Sequence, residues 1–404
     1  MSVAELIYDW NKVDATLSKP DRHIGFDDET LRDGLQSPSV CEPTVEKKIE
    51  LLHLMEALGI DTADIGLPGA GGTHAAGVEV MAREIANKKL KIRPNCAART
   101  HKNDIIPIAE ISQRAGIPIE ACTFIGSSAI RFFAEDWTLD KLLKMTEDAV
   151  TFAVGEGVPV MYVTEDTTRA NPETIRALYT TAIQCGAKAV CVCDTVGHST
   201  PDGAHAVVKF VKSIIDEQGG GIRLDWHGHQ DRGLGVINSI AAIQAGANQV
   251  HGSALGMGER VGNTPMDQLL VNLKLMGWIE NDLSRLGEYC ALASSACEWA
   301  IPHNYPVFGR DAFRTATGVH AAAVIKSYRK GDKELADLVY SGVPAGQFGL
   351  EQVVEVGPMS GKSNVIYWLE KRGIQASEDR VTRIYEHAKQ ASAVLAEDEI
   401  MRLV

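Results

Sequence analysis

Along most of the chain, short apolar runs rich in β-branched residues alternate with longer stretches whose apolar side chains recur every three to four positions, a strand-then-helix beat. The runs fall near 23–28, 61–66, 90–95, 118–125, 158–164, 187–193, 222–228 and 247–252. The helical periods fall near 44–59, 74–88, 103–116, 138–157, 171–186, 201–217, 232–245 and 264–278. Eight such units fill about 255 residues, the usual span of a closed (β/α)8 barrel. An open doubly wound sheet is the competing α/β solution, disfavoured because no glycine-rich dinucleotide fingerprint follows the first run. Thr44, Asn171 and Thr200 stand where N-caps belong, the last two followed by Pro172 and Pro201.

The beat starts and stops inside the chain. Residues 1–22 read as a polar lead-in with one amphipathic patch, 23–280 as the barrel, and 281–404 as a linker with a smaller, mostly helical appendage. Within that last part a helical stretch over 281–300 precedes the linker 301–306. The loop-like 339–347 then precedes a strand-like 353–356 and Ser360-Gly-Lys362.

Composition narrows the classes. The 404 residues are 45% hydrophobic and 23% charged, enough for one large core and a smaller one. A formal charge of −13 argues against a nucleic-acid surface or an anionic membrane as partner. Neither a signal-peptide pattern nor an apolar stretch long enough for a bilayer is present, so a cytoplasmic protein is expected. Eight cysteines are dispersed rather than framed, which points to reduced thiols. Cys191 and Cys193 share one face of a strand and read as packed core thiols.

Candidate chemistry sits where the apolar runs end. The first run, Ile24 to Phe26, opens into carboxylates, Arg32 and Gly34, and in a parallel α/β fold that strand end faces the ligand. Arg32 places a fixed cation beside Asp33, a possible metal ligand. The seventh run ends in His227-Gly-His229, whose imidazoles project from one face of an extended chain and can share an ion. Asp33 is the natural third ligand if strands one and seven nearly face each other across the barrel closure. Two imidazoles and a carboxylate suit Mn, Fe, Co or Zn and keep positions open for substrate oxygens. Other strand ends add Asp64, Arg99, Glu165 and Asp194-Thr195, and the glycine-rich turn 256–263 can bring Asn263 towards the ion.

Three motifs, Asp28-x-Thr-Leu-Arg-Asp-Gly-x-Gln36, His227-x-His-x-Asp231 and Gly256-x-Gly-Glu-Arg-x-Gly-Asn263, resemble the signatures of the DRE-TIM metallolyases. That family includes 2-isopropylmalate, homocitrate and citramalate synthases and 3-hydroxy-3-methylglutaryl-CoA lyase. Ala312-Phe-x-x-x-x-Gly-Val-His320, Tyr340 and Ser360-Gly-Lys362 resemble the parts that follow the barrel in the isopropylmalate synthases. The resemblance implies a TIM barrel and a divalent ion (Zn, Mn or Mg) on Asp33, His227 and His229, with Asn263 as a further ligand. It makes Arg32 the cation that meets developing negative charge, Thr195 the holder of the 2-oxo acid carboxylate and Glu165 a catalytic carboxylate. His320 and Tyr340 become the residues acting on acetyl-CoA or water, while Gln36, Asp64 and Arg99 complete the expected substrate-binding set.

The implied reaction is a Claisen-type condensation of acetyl-CoA with a 2-oxo acid. 2-Oxoisovalerate is the leading acceptor, giving 2-isopropylmalate, and 2-oxoglutarate and pyruvate are the alternatives. A carbon–carbon lyase or aldolase, and a metal-binding paralogue without catalysis, are the competing functions. Four positions depart from the family pattern: Glu29 stands for a threonine, Asp64 for a glutamate, Cys122 for a histidine, and Gln230 for an asparagine. They imply retained catalysis with an altered acceptor pocket. The resemblance further implies a homodimer in which the C-terminal part of one chain reaches the partner's barrel, and no leucine-binding regulatory domain, hence no leucine inhibition.

Overall fold

The computed structural model describes residues 6–404. It divides into two units, Thr16–Ala300 and a second one built from Ile301–Val404 with the described residues before Thr16.

In the first unit eight strands pair in chain order, all parallel, and close into a barrel through β1 and β8. They are β1 (Gly25–Asp28), β2 (Thr62–Asp64), β3 (Arg93–Arg99), β4 (Glu120–Gly126), β5 (Val160–Glu165), β6 (Ala189–Asp194), β7 (Arg223–Gly228) and β8 (Gln249–Gly252). Each expected run yields one strand, and a helix follows each, so the closed barrel stands and the open sheet does not. Thr44, Asn171 and Thr200 cap their helices, accepting from the backbone N–H of Lys47, Glu173 and Gly203.

Two local expectations shift. β3 starts later than the apolar run and continues to Arg99, because Leu90 is spent on the helix exit: Lys89 takes a left-handed φ of 55° and Leu90 N–H closes onto Ile85 O at 3.1 Å. The helix Ala129–Glu135, capped by Ser128, was not expected. At seven residues with no buried side chain it is too short to show a period, and Phe133 is 89% exposed.

The strands alternate between two environments. Leu224 and Trp226 on β7, Val190 and Val192 on β6, and Tyr162 and Thr164 on β5 are buried away from the axis. There Tyr162 meets Thr146 at 2.7 Å and Tyr179 meets Thr164 at 2.6 Å. The alternate residues Asp225 and His227, Cys191 and Cys193, and Met161 and Val163 point the other way. Burial on both faces is why these strands read as nearly continuous apolar runs. β1 and β7 do not face each other across the barrel; they flank β8, a shorter separation than the sequence suggested.

Asp28 lies on the outer side of β1, buried, accepting from Thr30 N–H at 2.8 Å and from the Tyr289 hydroxyl. Burial pushes its carboxyl up to about 6 from 3.8, against the hydrogen bonds from Thr30 and Tyr289. A raised carboxyl favours the protonated folded state, so this contribution is complete below about pH 4 and is lost as pH rises through about 6. The shift corresponds to on the order of 3 kcal/mol. Urea unfolding across that window is expected to show wild type losing stability relative to Asp28→Asn as pH rises; parallel curves would refute it.

The second unit joins a two-stranded parallel ladder, Arg314–Thr315 with Val353–Val354, to helices at 318–329, 333–338, 362–371, 378–390 and 397–401. Val356, Val365, Trp368, Leu369, Val381, Ile384 and Ile400 form its core. Ser360 is structural: its hydroxyl donates to Ala316 O at 2.7 Å and accepts from Gly357 N–H at 2.9 Å.

Candidate active site

The carboxyl ends of the strands surround a cavity of about 310 Å³. Its wall includes Glu29, Arg32, Asp33, Gln36, Glu165, Thr195, His227, His229 and His251. The rest of the wall includes apolar and sulfur-bearing side chains: Leu67, Ala97, Cys122, Phe124, Met161, Val163, Cys191 and Cys193.

Asp33 follows β1, and His227 and His229 follow one another out of β7. Asp33 Oδ2 lies 3.4 Å from His229 Nε2 and 3.5 Å from His227 Nε2. All three residues are buried, and their ligand atoms lie within 4.8 Å of one another. Asp33 Oδ2 and Asn263 Oδ1 are buried without a hydrogen-bond partner, as expected of oxygens whose partner is an ion. Two imidazoles, a carboxylate and an amide oxygen fit a divalent metal. Asn263 is held by the glycine turn: its Nδ2 donates to Met257 O at 3.0 Å and its N–H to Gly256 O at 3.0 Å. Gly262 has a φ of 98°, and a Cβ there would sit 1.7 Å from Gly256 O, so only glycine lets the turn close. At Gly258 a Cβ would meet Asn263 Nδ2 at 2.5 Å.

Arg32 is clamped by three carboxylates. Its Nε donates to Asp64 Oδ2 at 2.8 Å, one Nη to Glu29 Oε2 at 2.5 Å, and the other faces Asp33 Oδ1 at 3.2 Å. Burial opposes ionisation of Asp33, but Arg32, His227 and His229 outweigh it and hold the carboxyl well below the usual range. Glu29 is held low in the same way by Arg32, His227 and His251. Burial would depress His227, yet Asp33 and Glu29 raise it to about 10.

The remaining expected residues divide. Thr195 Oγ1 accepts from Asp166 N–H at 2.8 Å, which leaves its own hydrogen free to donate into the cavity. Glu165 lines the wall, and burial raises its carboxyl although Arg131 and Arg32 oppose this. Asp64 acts on Arg32 and is outside the lining. Arg99 is tied to Asp104 at 2.8 Å with its side chain 68% exposed, and it too is outside the lining. His320 and Tyr340 belong to the second unit, where both are exposed and their rings stack at 4.0 Å.

Sequence reasoning missed Glu29 as a site residue, along with His251 and Arg260. His251 is in phase with Gln249 on β8, so strand alternation alone would have turned it inward. Arg260 pairs with Asp231 at 2.8 Å and donates to Thr195 O at 2.6 Å, bracing the residue expected to hold substrate.

Known proteins resemble this chain in sequence and in fold. The sequence profile of the HMGL-like family matches residues 23–291. The chain is 30% identical over 373 residues to homocitrate synthase of Methanopyrus kandleri, covering 92% of this chain and 88% of the relative. It is 30% identical to a probable 2-isopropylmalate synthase of the same organism over 92% of this chain and 70% of that one. A probable 2-isopropylmalate synthase of Ignicoccus hospitalis is 28% identical over 99% of this chain and 96% of its own length. Among solved structures, an HMG-CoA lyase from Pseudomonas aeruginosa superposes with a TM-score of 0.56 at 19% identity, over 69% of this chain and 93% of that one.

Proposed function

The chain belongs to the HMGL-like family, and from that premise we propose that it catalyses the condensation of acetyl-CoA with a 2-oxo acid, 2-oxoisovalerate foremost, to 2-isopropylmalate and CoA. The observation that carries the reading is the convergence of Asp33, His227 and His229 beside Arg32, in a cavity that Leu67, Phe124, Met161 and Val163 also line. Relatives named for homocitrate, isopropylmalate and citramalate synthesis support the reaction class.

A divalent ion held by Asp33, His227 and His229, with Asn263 Oδ1 beside them, would supply Lewis-acid polarisation of the acceptor's ketone. The Thr195 hydroxyl, one lone pair of which accepts from Asp166 N–H, donates its hydrogen to the acceptor's carboxylate. His320, stacked on Tyr340, takes a proton from the acetyl methyl group, and the new carbon–carbon bond forms at the ketone carbon. Arg32 faces the alkoxide that results, its orientation set before reaction by Glu29, Asp33 and Asp64, so little reorganisation is needed. Glu165, raised towards neutrality by burial, is suited to return a proton to that alkoxide. Water then cleaves the thioester and frees CoA.

The acceptor proposed is supported by the composition of the wall. Its two arginines are both engaged, Arg32 by three carboxylates and Arg260 by Asp231, while Arg99 is tied to Asp104 and Arg131 to Glu135. Among the described residues lining the wall neither arginine is unpaired, which favours an acceptor without a second carboxylate, and Phe124, Met161 and Val163 offer apolar surface to its side chain. We further propose a homodimer, to be seen as a two-chain mass in sedimentation.

The test is CoA release from acetyl-CoA with a panel of 2-oxo acids, after chelation and reloading with Mg, Mn or Zn. Release is expected to be fastest with 2-oxoisovalerate and absent without metal. Faster release with 2-oxoglutarate would overturn the acceptor assignment, and no release with any acid would overturn the condensation.

A further inference from the structure

We infer that His251 is a positioning residue, which fixes Arg32 and His227 together through Glu29; its catalytic consequence rests on the role given to Arg32 above. His251 is only 2% exposed, at the third position of β8. Each of its ring nitrogens faces a carboxylate. Nδ1 lies 3.0 Å from Glu29 Oε1, and Nε2 lies 3.3 Å from Asp225 Oδ2 and 3.6 Å from Asp27 Oδ2.

Asp225 is itself anchored, accepting from Arg223 Nε at 2.9 Å, while Arg223 reaches Glu120 at 2.7 Å. Polar contacts therefore run in a line along the barrel interior, from Glu120 and Arg223 at the start of the strands through Asp225 and His251 to Glu29 and Arg32 at their ends. Strand register produces this line, since Asp27 pairs with His251 between β1 and β8.

Glu29 is where the line divides. Oε1 meets His251 and, at 3.4 Å, His227 Nδ1, while Oε2 takes the Arg32 Nη at 2.5 Å. A carboxylate with one oxygen on the metal-site imidazole and the other on the guanidinium sets the orientation of both. His251 is the partner at 3.0 Å that keeps that carboxylate from turning. Glu29, His227 and His251 also come together as a possible ligand set, but the direct contact between Glu29 and His251 makes them support rather than a second ion site.

The test compares His251→Gln, Glu29→Gln and the double variant in the metal-loaded protein. Loss of an outer partner of this kind lowers activity roughly 10–100-fold. That loss is expected in kcat for His251→Gln with KM for acetyl-CoA unchanged, and the double variant should be no worse than Glu29→Gln alone. Multiplying effects, or an unchanged kcat, would overturn the assignment. A second readout needs no turnover: the Arg32 Nε–H resonance, identified by its loss in Arg32→Lys, should move or broaden in His251→Gln, and an unaltered resonance would refute the clamp. If the wild-type chain releases no CoA with any 2-oxo acid, the function reading fails and the resonance alone decides the clamp. Should His251→Gln not fold, Asp225→Asn, which frees His251 from the other side, is expected to move the same resonance; no movement would overturn the proposal.

Discussion

His229→Ala is expected to lose its metal and its turnover together while remaining folded. The backbone at this position is held independently of the side chain, with His229 N–H donating to Asp194 O at 3.1 Å and the residue bridging Asn263. Nδ1 is buried and makes no hydrogen bond, so truncation breaks no bond within the protein from that atom. What is lost is the Nε2 that faces Asp33 Oδ2 at 3.4 Å. Removing a direct ligand should exceed the roughly 10–100-fold penalty of an outer partner. Metal analysis after dialysis and CoA release should both fall to background, with circular dichroism unchanged. Full turnover with a normal metal content would remove the metal assignment.

Arg32→Lys is expected to keep the metal and lose the chemistry. The three ligand residues are untouched, but an ammonium is a point charge and cannot engage Glu29, Asp33 and Asp64 with the fixed fork of a guanidinium. Loss of one preorganised donor to a developing oxyanion typically costs about 10²–10³ in kcat, and that is the expected range here. KM for acetyl-CoA should move little, because Arg32 acts on charge that appears only as the bond forms. The variant should also melt earlier than wild type, since three buried carboxylates keep their desolvation penalty with a poorer partner. A near-wild-type kcat would show that Arg32 serves the fold alone.

Together these two variants separate holding the ion from stabilising the charge. Arg32 and Asp33 are neighbours in the chain and meet at 3.2 Å, yet only Asp33 also faces the two imidazoles and only Arg32 also meets Glu29 and Asp64. His227 and His229 were legible because an i, i+2 pair on an extended chain has only one way to face. Asn263 was legible through its glycine turn, and Gly262 shows why, since no side chain fits there. Arg99 was misplaced for an equally plain reason. A strand-end arginine reads the same whether it turns to the cavity or to Asp104 five residues on, and only the start of the following helix decides.

Glu29 marks the boundary between the two kinds of information. In the chain it is an unexplained acid where the family pattern has threonine. In the fold it touches Arg32, His227 and His251, the last of them 222 positions away. The sequence by itself determined the barrel and named the candidate metal-ligating residues, because periodicity and spacing are local and the strand–helix unit repeats eight times. Tertiary structure alone decided which charges share an environment. Closure sets β1 and β7 on either side of β8, strand register pairs Asp27 with His251, and burial turns those carboxylates and imidazoles towards one another. Contacts made by closing a sheet on itself leave no period in the chain, so the clamp on Arg32 exists only in three dimensions.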